Sequence, residues 1–154
     1  MAQALLVSRK DIVKFTSMNG NVDTDKFIQY IKIAQDIHIQ NYLGTELLDK
    51  IEADIIADTL TGDYATLVTD YVKPMLVHWA MVEYLPYAAY TISNKGVYKG
   101  SSENAENVDK NEIDFLIEKE RSIAQYYTER FIDYMSFNAS SKFSEYYSNS
   151  NEDV

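Results

Sequence analysis

The side chains of this sequence that are best suited to proton transfer or metal binding are those of its two histidines, His38 and His78. Each lies in an apolar stretch, and neither has a serine, cysteine or aspartate at the spacing typical of a catalytic triad. Because the chain has two histidines and no cysteine, a three-histidine or cysteine-ligated metal site cannot form. We therefore assign no catalytic residue, metal ligand or cofactor site, and interpret both histidines as packed or surface residues.

Closely spaced carboxylates are a second candidate for chemistry. Asp54 and Asp58 stand four residues apart on one predicted helix face, and so do Asp114 and Glu118. Such a pair divides acid and base roles when burial separates the two pKa values. Nothing apolar encloses either pair, so the pattern is typical of a solvated helix face.

The alternating Asn and Asp residues between positions 19 and 25 resemble the start of a calcium-binding loop. Counted from Asn19, the sixth position is Thr24, where such a loop needs glycine. The twelfth position is Tyr30, where the loop needs glutamate. The spacing therefore excludes this type of calcium site.

The segment KGVYKG (residues 95–100) contains two glycines, but it lacks the GxxxxGK[ST] pattern of a phosphate-binding loop and no predicted strand precedes it. Its other residues, Lys95, Val97, Tyr98 and Lys99, suit a loop that inserts between neighbouring molecules. A plain surface connection is the alternative. We treat these four residues as candidate interface residues.

Tyrosine is unusually frequent, with 13 residues among 154. Its ring offers a large contact area and its hydroxyl tolerates water, so an excess favours an assembly surface over an enclosed active site. The alternative is that many of these rings belong to helix cores. The aromatic residues near the carboxyl end, Phe143, Tyr146 and Tyr147, are predicted to be interface anchors.

The chain is acidic, with 14 Lys and Arg against 24 Asp and Glu and a formal net charge of −10. A protein that neutralises nucleic-acid phosphates or lies on an anionic membrane needs a basic face, so the composition argues against both. The opening MAQALLVSRKD lacks the layout of a secretory signal. Residues 74–94 are largely uncharged, but His78, Glu83 and Pro86 interrupt them, which favours a buried helix over a membrane span.

Apolar residues recur at three- and four-residue spacing, which predicts an all-α protein, a compact bundle of about four to five helices. The predicted helices cover residues 9–15, 23 or 24 to 44, 45–57, a long segment from about 62 with kinks or a split at Pro74 and Pro86, and 109 to about 137–139. Residues 93–108 are predicted to form a long loop or short hairpin. The chain thus divides into a helical domain (1–139) and an extended polar and aromatic tail (140–154).

Four segments resemble a family of small helical proteins encoded among the head genes of phages that infect Bacteroides, including crAss-like phages. The segments are NYLGTELLDKI (41–51), the stretch from KP to EYLP (73–86), NKGV with the following SSEN (94–104), and RFIDYM (130–135). The similarity covers roughly residues 24–135 and contains no catalytic signature. Those proteins resemble the head–tail connector, or adaptor, proteins of tailed phages.

The resemblance implies a structural virion protein at the head–tail junction. Such a protein forms a ring, typically twelve-fold, docks beneath the portal protein, contacts neighbouring tail or ring proteins, and extends the channel through which DNA passes without sequence-specific binding. It implies no enzyme activity, no cofactor and no membrane. The residues leave a second function open, namely a small helical regulatory or protein-binding module that acts as a monomer or dimer.

Overall fold

The computed structural model describes residues 4–15, 24–98 and 110–147, and within these residues every regular element is a helix. The predicted all-α fold class is confirmed. Six helices follow one another along the described chain: α1 (Arg9–Phe15), α2 (residues 24–43), α3 (Thr45–Ala57), α4 (residues 62–98), α5 (Lys110–Lys142) and the single-turn α6 (Ser144–Tyr147).

α1 begins after Ser8, which caps it. The backbone N–H of Ser8 donates to Oδ2 of Asp11 over 2.9 Å, and the N–H of Asp11 donates to the Ser8 hydroxyl over 3.4 Å. Nζ of Lys73 lies 3.1 Å from the same carboxylate and joins α4 to α1. Burial raises the pKa of Asp11, but the hydrogen bonds from Ser8 and the charge of Lys73 outweigh it, so the pKa lies below its usual value.

α2 and α3 meet at a corner that the sequence predicts correctly. Gly44, which ends α2, has a φ of 84°, a conformation that favours glycine. The leucines on the two sides of the corner, Leu43 and Leu47, are fully buried. Towards its end α2 also widens into a π-helical segment, Gln35–Ile39, which the apolar spacing does not predict.

α4 contains a second π-helical segment, Val68–Val72, for which the sequence offers a reason. Pro74 follows it and has no backbone N–H, so the carbonyl of Asp70 lacks its usual helical partner. Arg130 on α5 donates to this carbonyl from Nη1 over 3.2 Å. The irregularity expected at Pro74 is therefore a π segment and not a break, whereas Pro86 lies inside the α-helical part that follows.

The core forms around α4, which packs against both α2 and α5. Leu76 is fully buried and Trp79 is 5% exposed, so both belong to the core. Phe27 and Ile31 on α2 and Phe131 on α5 are also fully buried. No described helix combines the length and the apolar character of a membrane span.

The loop predicted at residues 93–108 starts later in the structure than the sequence indicates. α4 continues as a helix through Tyr98, and residues 99–109 lie outside the described residues. Extending an existing helix by one residue costs far less free energy than starting a new one. This continuity overrides the weak helix propensity of Ser93, Asn94 and Gly96.

The predicted boundary between a helical domain and a tail at residue 140 also needs correction. α5 continues through Lys142, and α6 follows directly after Phe143. The Phe143 ring is fully buried, with its centre 5.2 Å from that of Tyr64 and 6.1 Å from that of Tyr134. Burial of this ring stabilises the helical turns on either side of it. The described helical unit therefore reaches residue 147.

Candidate functional site

Each histidine is held by a glutamate and an aromatic ring. Nε2 of His38 lies 2.9 Å from Oε1 of Glu83. The imidazole stacks on Trp79, with ring centres 4.2 Å apart and an interplanar angle of 13°. Because His38 lies in the π-helical part of α2 while Glu83 and Trp79 lie on α4, this pair joins the two helices.

The second pair joins α4 to α5. Nδ1 of His78 lies 2.7 Å from Oε2 of Glu120, and the imidazole stacks on Tyr127 at an interplanar angle of 6°. The indole Nε1–H of Trp79 donates to Oγ1 of Thr128 over 2.9 Å, and the Thr128 hydroxyl donates to a carbonyl of its own helix. The polar atom of the buried indole is therefore satisfied.

Each pair joins α4 to a neighbouring helix through one hydrogen bond and one stacked ring. Among the described residues, no three or more His, Asp or Glu are grouped to hold a metal ion. Sequence reasoning missed both pairs because the glutamates lie 45 and 42 residues from their histidines.

A third polar cluster is buried where the amino-terminal residues meet α2. Oε1 of Gln35 accepts from the Leu6 N–H over 3.0 Å, and Nε2 donates to the Ala4 carbonyl over 2.7 Å and to Oε1 of Glu52 over 3.0 Å. Gln35 is 1% exposed and Glu52 is 6% exposed. Burial raises the pKa of Glu52, although hydrogen bonds from Gln35 and the Ala4 N–H oppose the shift.

A pocket of about 310 Å³ adjoins this cluster. It is lined by Ala4, Leu5, Ile28, Gln29 and Lys32. The Lys32 ammonium is already paired with Asp36, 2.6 Å away. The pocket has room for a small ligand but lacks the several convergent polar groups that orient one.

The structure describes the predicted loop residues only in part. Lys95, Val97 and Tyr98 belong to the last turns of α4, and Lys99 lies outside the described residues. The expectation that Lys95, Val97 and Tyr98 lie in a loop is therefore wrong. Their role at an interface stays a prediction.

The three aromatic residues predicted as tail anchors have different environments. Phe143 is fully buried in the core of its own chain, which corrects the expectation that its ring is free to contact another molecule. Tyr146 is partly buried and packs against the same core. Tyr147 ends α6, and its role at an interface stays a prediction.

A polar contact also fixes α6. The hydroxyl of Tyr64 on α4 donates to Oε1 of Glu145 over 2.6 Å. Burial and this carboxylate raise the pKa of Tyr64 to about 12. Nζ of Lys50 lies 4.9 Å from the centre of the Tyr64 ring. Tyr64 therefore links α3, α4 and α6.

Residues 39–154, which make up more than half of the chain, match a family of unknown function, DUF6712. The chain belongs to this family. No curated protein and no solved structure is significantly similar to it. The matched part of this DUF6712 chain includes the His78–Glu120 pair and Phe143, and it begins just after His38.

Large apolar side chains of this DUF6712 chain are exposed on four of the described helices, namely α2, α3, α4 and α5. On α5, Phe115, Tyr126 and Phe137 are 68%, 62% and 84% exposed. Ile37 on α2 and Ile56 on α3 are also mostly exposed. Sequence reasoning missed the α5 residues because it followed the buried stripe of that helix. Their regular eleven-residue spacing is the signal that reveals them.

Proposed function

We propose that this DUF6712 chain is a structural virion protein, a head-to-tail connector that forms a ring beneath the portal, extends the DNA channel and joins the capsid to the tail. The resemblance of four segments to phage connector-like proteins supports this function. In the fold, NYLGTELLDKI forms the corner at Gly44, and RFIDYM contributes the buried Phe131 and Met135 to the core. The similar residues therefore support a shared fold more directly than a shared surface.

The observation that carries the proposal is the exposure of large apolar side chains on separate helices. A closed ring of more than two subunits needs heterologous contacts, in which one surface of each subunit meets a different surface of the next. Ile37 on α2 and Phe137 on α5 are exposed on two separate helices that each pack against α4, and we propose that they contribute to two such surfaces. The proposed partners are further copies of the chain, in a ring that is typically twelve-fold, the portal protein, and neighbouring tail or ring proteins.

The acidic composition fits a channel through which DNA passes. A net charge of −10 disfavours adhesion of the phosphate backbone. DNA would then move through the ring without sequence-specific binding, and no membrane takes part. The proposed location is the head–tail junction of the virion, after synthesis in the host cytoplasm. The role requires no catalysis and no cofactor.

Protein composition of purified virions tests the proposal. We expect the chain in virions at the stoichiometry of one ring, and we expect Ile37→Gln to reduce its incorporation. Asn41→Gln, a change at an exposed polar position on the same helix, is the matched control and should leave incorporation unchanged. Absence of the wild-type chain from virions would overturn the connector function.

The choice of truncation follows from the fold. Removal of residues 140–154 would delete the buried Phe143 and Glu145, so a loss of incorporation would reflect unfolding. Removal of residues 148–154 leaves every described helix in place. If these last residues contact portal or the next ring, the shorter truncation abolishes incorporation while the helix content stays unchanged.

A regulatory or protein-binding module is the second candidate, and the exposed aromatic residues of α5 favour it equally. Such a module would be a monomer or dimer, and it would bind one partner without forming a ring. Mass measurement of the purified chain with and without portal separates the two functions. A ring that forms in the presence of portal supports the connector, whereas a persistent monomer or dimer supports the module.

A further inference from the structure

Phe115, Tyr126 and Phe137 form a row on the outer surface of α5, which we call the aromatic row. Each ring is eleven residues from the next, which amounts to three helical turns plus about 20°, so the three rings follow the helix axis over about 33 Å. Residues on the opposite side of α5, such as Ala124 and Phe131, are fully buried. The aromatic row therefore points away from the core.

Two opposite charges lie within the aromatic row. Lys119 is seven residues before Tyr126, and Asp133 is seven residues after it. Both lie on the exposed side of α5, and neither forms an ion pair with another residue in the described part of the chain. The residues eleven positions before and after Tyr126 are therefore both aromatic, and the residues seven positions before and after it carry opposite charges.

We propose that a second copy of the chain docks on the aromatic row, with the two α5 helices antiparallel and a two-fold axis at Tyr126. In an antiparallel helix pair, residues equally far before and after the centre face each other. Phe115 of each copy then faces Phe137 of the other, and Lys119 of each copy faces Asp133 of the other. Each copy therefore contributes one lysine and one aspartate to the interface, and the two ion pairs are equivalent.

The symmetry of the row favours a copy of the same chain over an unrelated partner. A two-fold interface is self-complementary, so every residue before the axis must suit a residue after it. The rings and the charges both meet this requirement, whereas an unrelated partner demands no such relation within one chain. A two-fold contact cannot close a larger ring, so the inference goes beyond the connector proposal and concerns the free protein.

Sedimentation of the full-length chain over a dilution series tests the proposal. We expect a monomer–dimer equilibrium, and we expect Phe137→Gln to weaken it about a hundredfold, because the ring occurs twice in the interface. Ile56→Gln changes an exposed apolar residue on α3 and should leave dimerisation unchanged. Circular dichroism should give the same helix content for all variants, because both side chains point into solvent.

Charge exchange tests the antiparallel register. Lys119→Asp and Asp133→Lys each place like charges opposite one another twice, so each variant alone should dimerise about tenfold more weakly. Mixed together, the two variants should form a heterodimer as tight as the wild-type dimer, because both facing pairs are again opposite in charge. A control mixture of Lys10→Asp with Asp133→Lys has the same net charges, but one facing pair of its heterodimer is Lys opposite Lys, so it should form no heterodimer as tight as the Lys10→Asp homodimer.

Three results would overturn the proposal. They are a wild-type chain that stays monomeric at every concentration, a dimer that Phe137→Gln leaves intact, and α5 charge variants whose mixture dimerises no better than either variant alone. A monomer would mean that another segment of the chain or another protein covers the aromatic row. These measurements use the free chain alone, so their outcome is independent of whether the chain is found in virions.

Discussion

The two ends of the described chain both dock on the helical bundle, but different contacts hold them. At the amino end, Leu6 and Val7 are buried, and the backbone of residues 4–6 pairs with the amide of Gln35. At the carboxyl end, Phe143 inserts a ring among aromatic neighbours. One end therefore depends on directional hydrogen bonds to a buried side chain, and the other depends on the volume of a buried ring.

This difference between hydrogen bonds and a buried ring predicts which substitutions each end tolerates. Loss of a buried ring costs free energy in proportion to the cavity that remains, so another large apolar residue recovers part of the loss. Loss of a buried amide leaves its partners unpaired in a dry environment, and no apolar residue recovers that. Size should matter most at Phe143, and hydrogen-bonding capacity should matter most at Gln35.

The largest effect is expected at the carboxyl end. Phe143→Ala should lower the free energy of unfolding by about 3–5 kcal/mol, because the cavity is lined by rings that cannot collapse fully. Urea denaturation measures this change. Phe137→Ala is the matched control, since the same residue type six positions earlier is 84% exposed, and it should cost less than about 0.5 kcal/mol in the monomer. Equal losses in the two variants would show that α6 is not docked.

At the amino end, Gln35→Leu should lower the free energy of unfolding by about 2–3 kcal/mol. The substitution keeps the volume but leaves the Leu6 N–H, the Ala4 carbonyl and the buried Glu52 carboxylate without their partner. Gln29→Leu, an exposed position on the same helix, controls for the change in hydropathy and should have little effect. A stable Gln35→Leu variant would mean that apolar contacts alone dock the amino end.

The same comparison separates what the sequence predicts from what it does not. Local signals are sufficient for the Ser8 cap, the Gly44 corner and the irregularity at Pro74, because each depends on residues within about one helical turn. The Gln35 cluster joins residues 17 to 31 positions apart, and no local spacing reports such contacts. The π segment at Gln35 was therefore unpredicted, whereas the one before Pro74 has a cause within its own helix.

At the carboxyl end, the sequence predicts less structure than is present. The residues around Phe143 are polar, so composition predicts a tail, yet the segment docks through the buried Phe143 ring and the contacts of Glu145 and Tyr146. Prediction of the candidate site from the sequence was incomplete for a similar reason. Both histidines are evident in the sequence, but the glutamate partner of each lies on another helix. The exposed rings of α5 were readable from their eleven-residue spacing, but a search for buried stripes overlooks them.

A smaller effect should follow from the polar contact at the carboxyl end. Tyr64→Phe removes the hydrogen bond to Glu145 and should lower the free energy of unfolding by about 1 kcal/mol at neutral pH. The pKa of Tyr64 is about 12 in the folded chain and 10.0 otherwise, so the folded state retains this proton more tightly. Its contribution is complete below pH 10 and is lost as the pH rises towards 12. Denaturation in that range should show a steeper loss in the wild type than in Tyr64→Phe.

The smallest effect, and the sharpest test of the amino end, is the pH dependence of Glu52→Gln. Burial raises the pKa of Glu52 above its ordinary value of 4.5, so the folded state binds this proton more tightly than the unfolded state. The wild type therefore loses stability as the pH rises from about 4.5 through the raised pKa, and it loses no more above that range. Glutamine does not titrate, so the stability of the variant relative to the wild type should rise over the same range.

Urea denaturation of both proteins between pH 4 and pH 8 measures this difference, and other titrating groups such as Asp11 cancel because both proteins contain them. Tyr64→Phe is the control from the other end of the chain, because a hydroxyl with a pKa of about 12 does not titrate here and its difference from wild type should stay constant. A difference for Glu52→Gln that also stays constant would mean that burial does not raise the pKa of Glu52, and one that falls as the pH rises would mean that the hydrogen bonds from Gln35 and the Ala4 N–H outweigh burial.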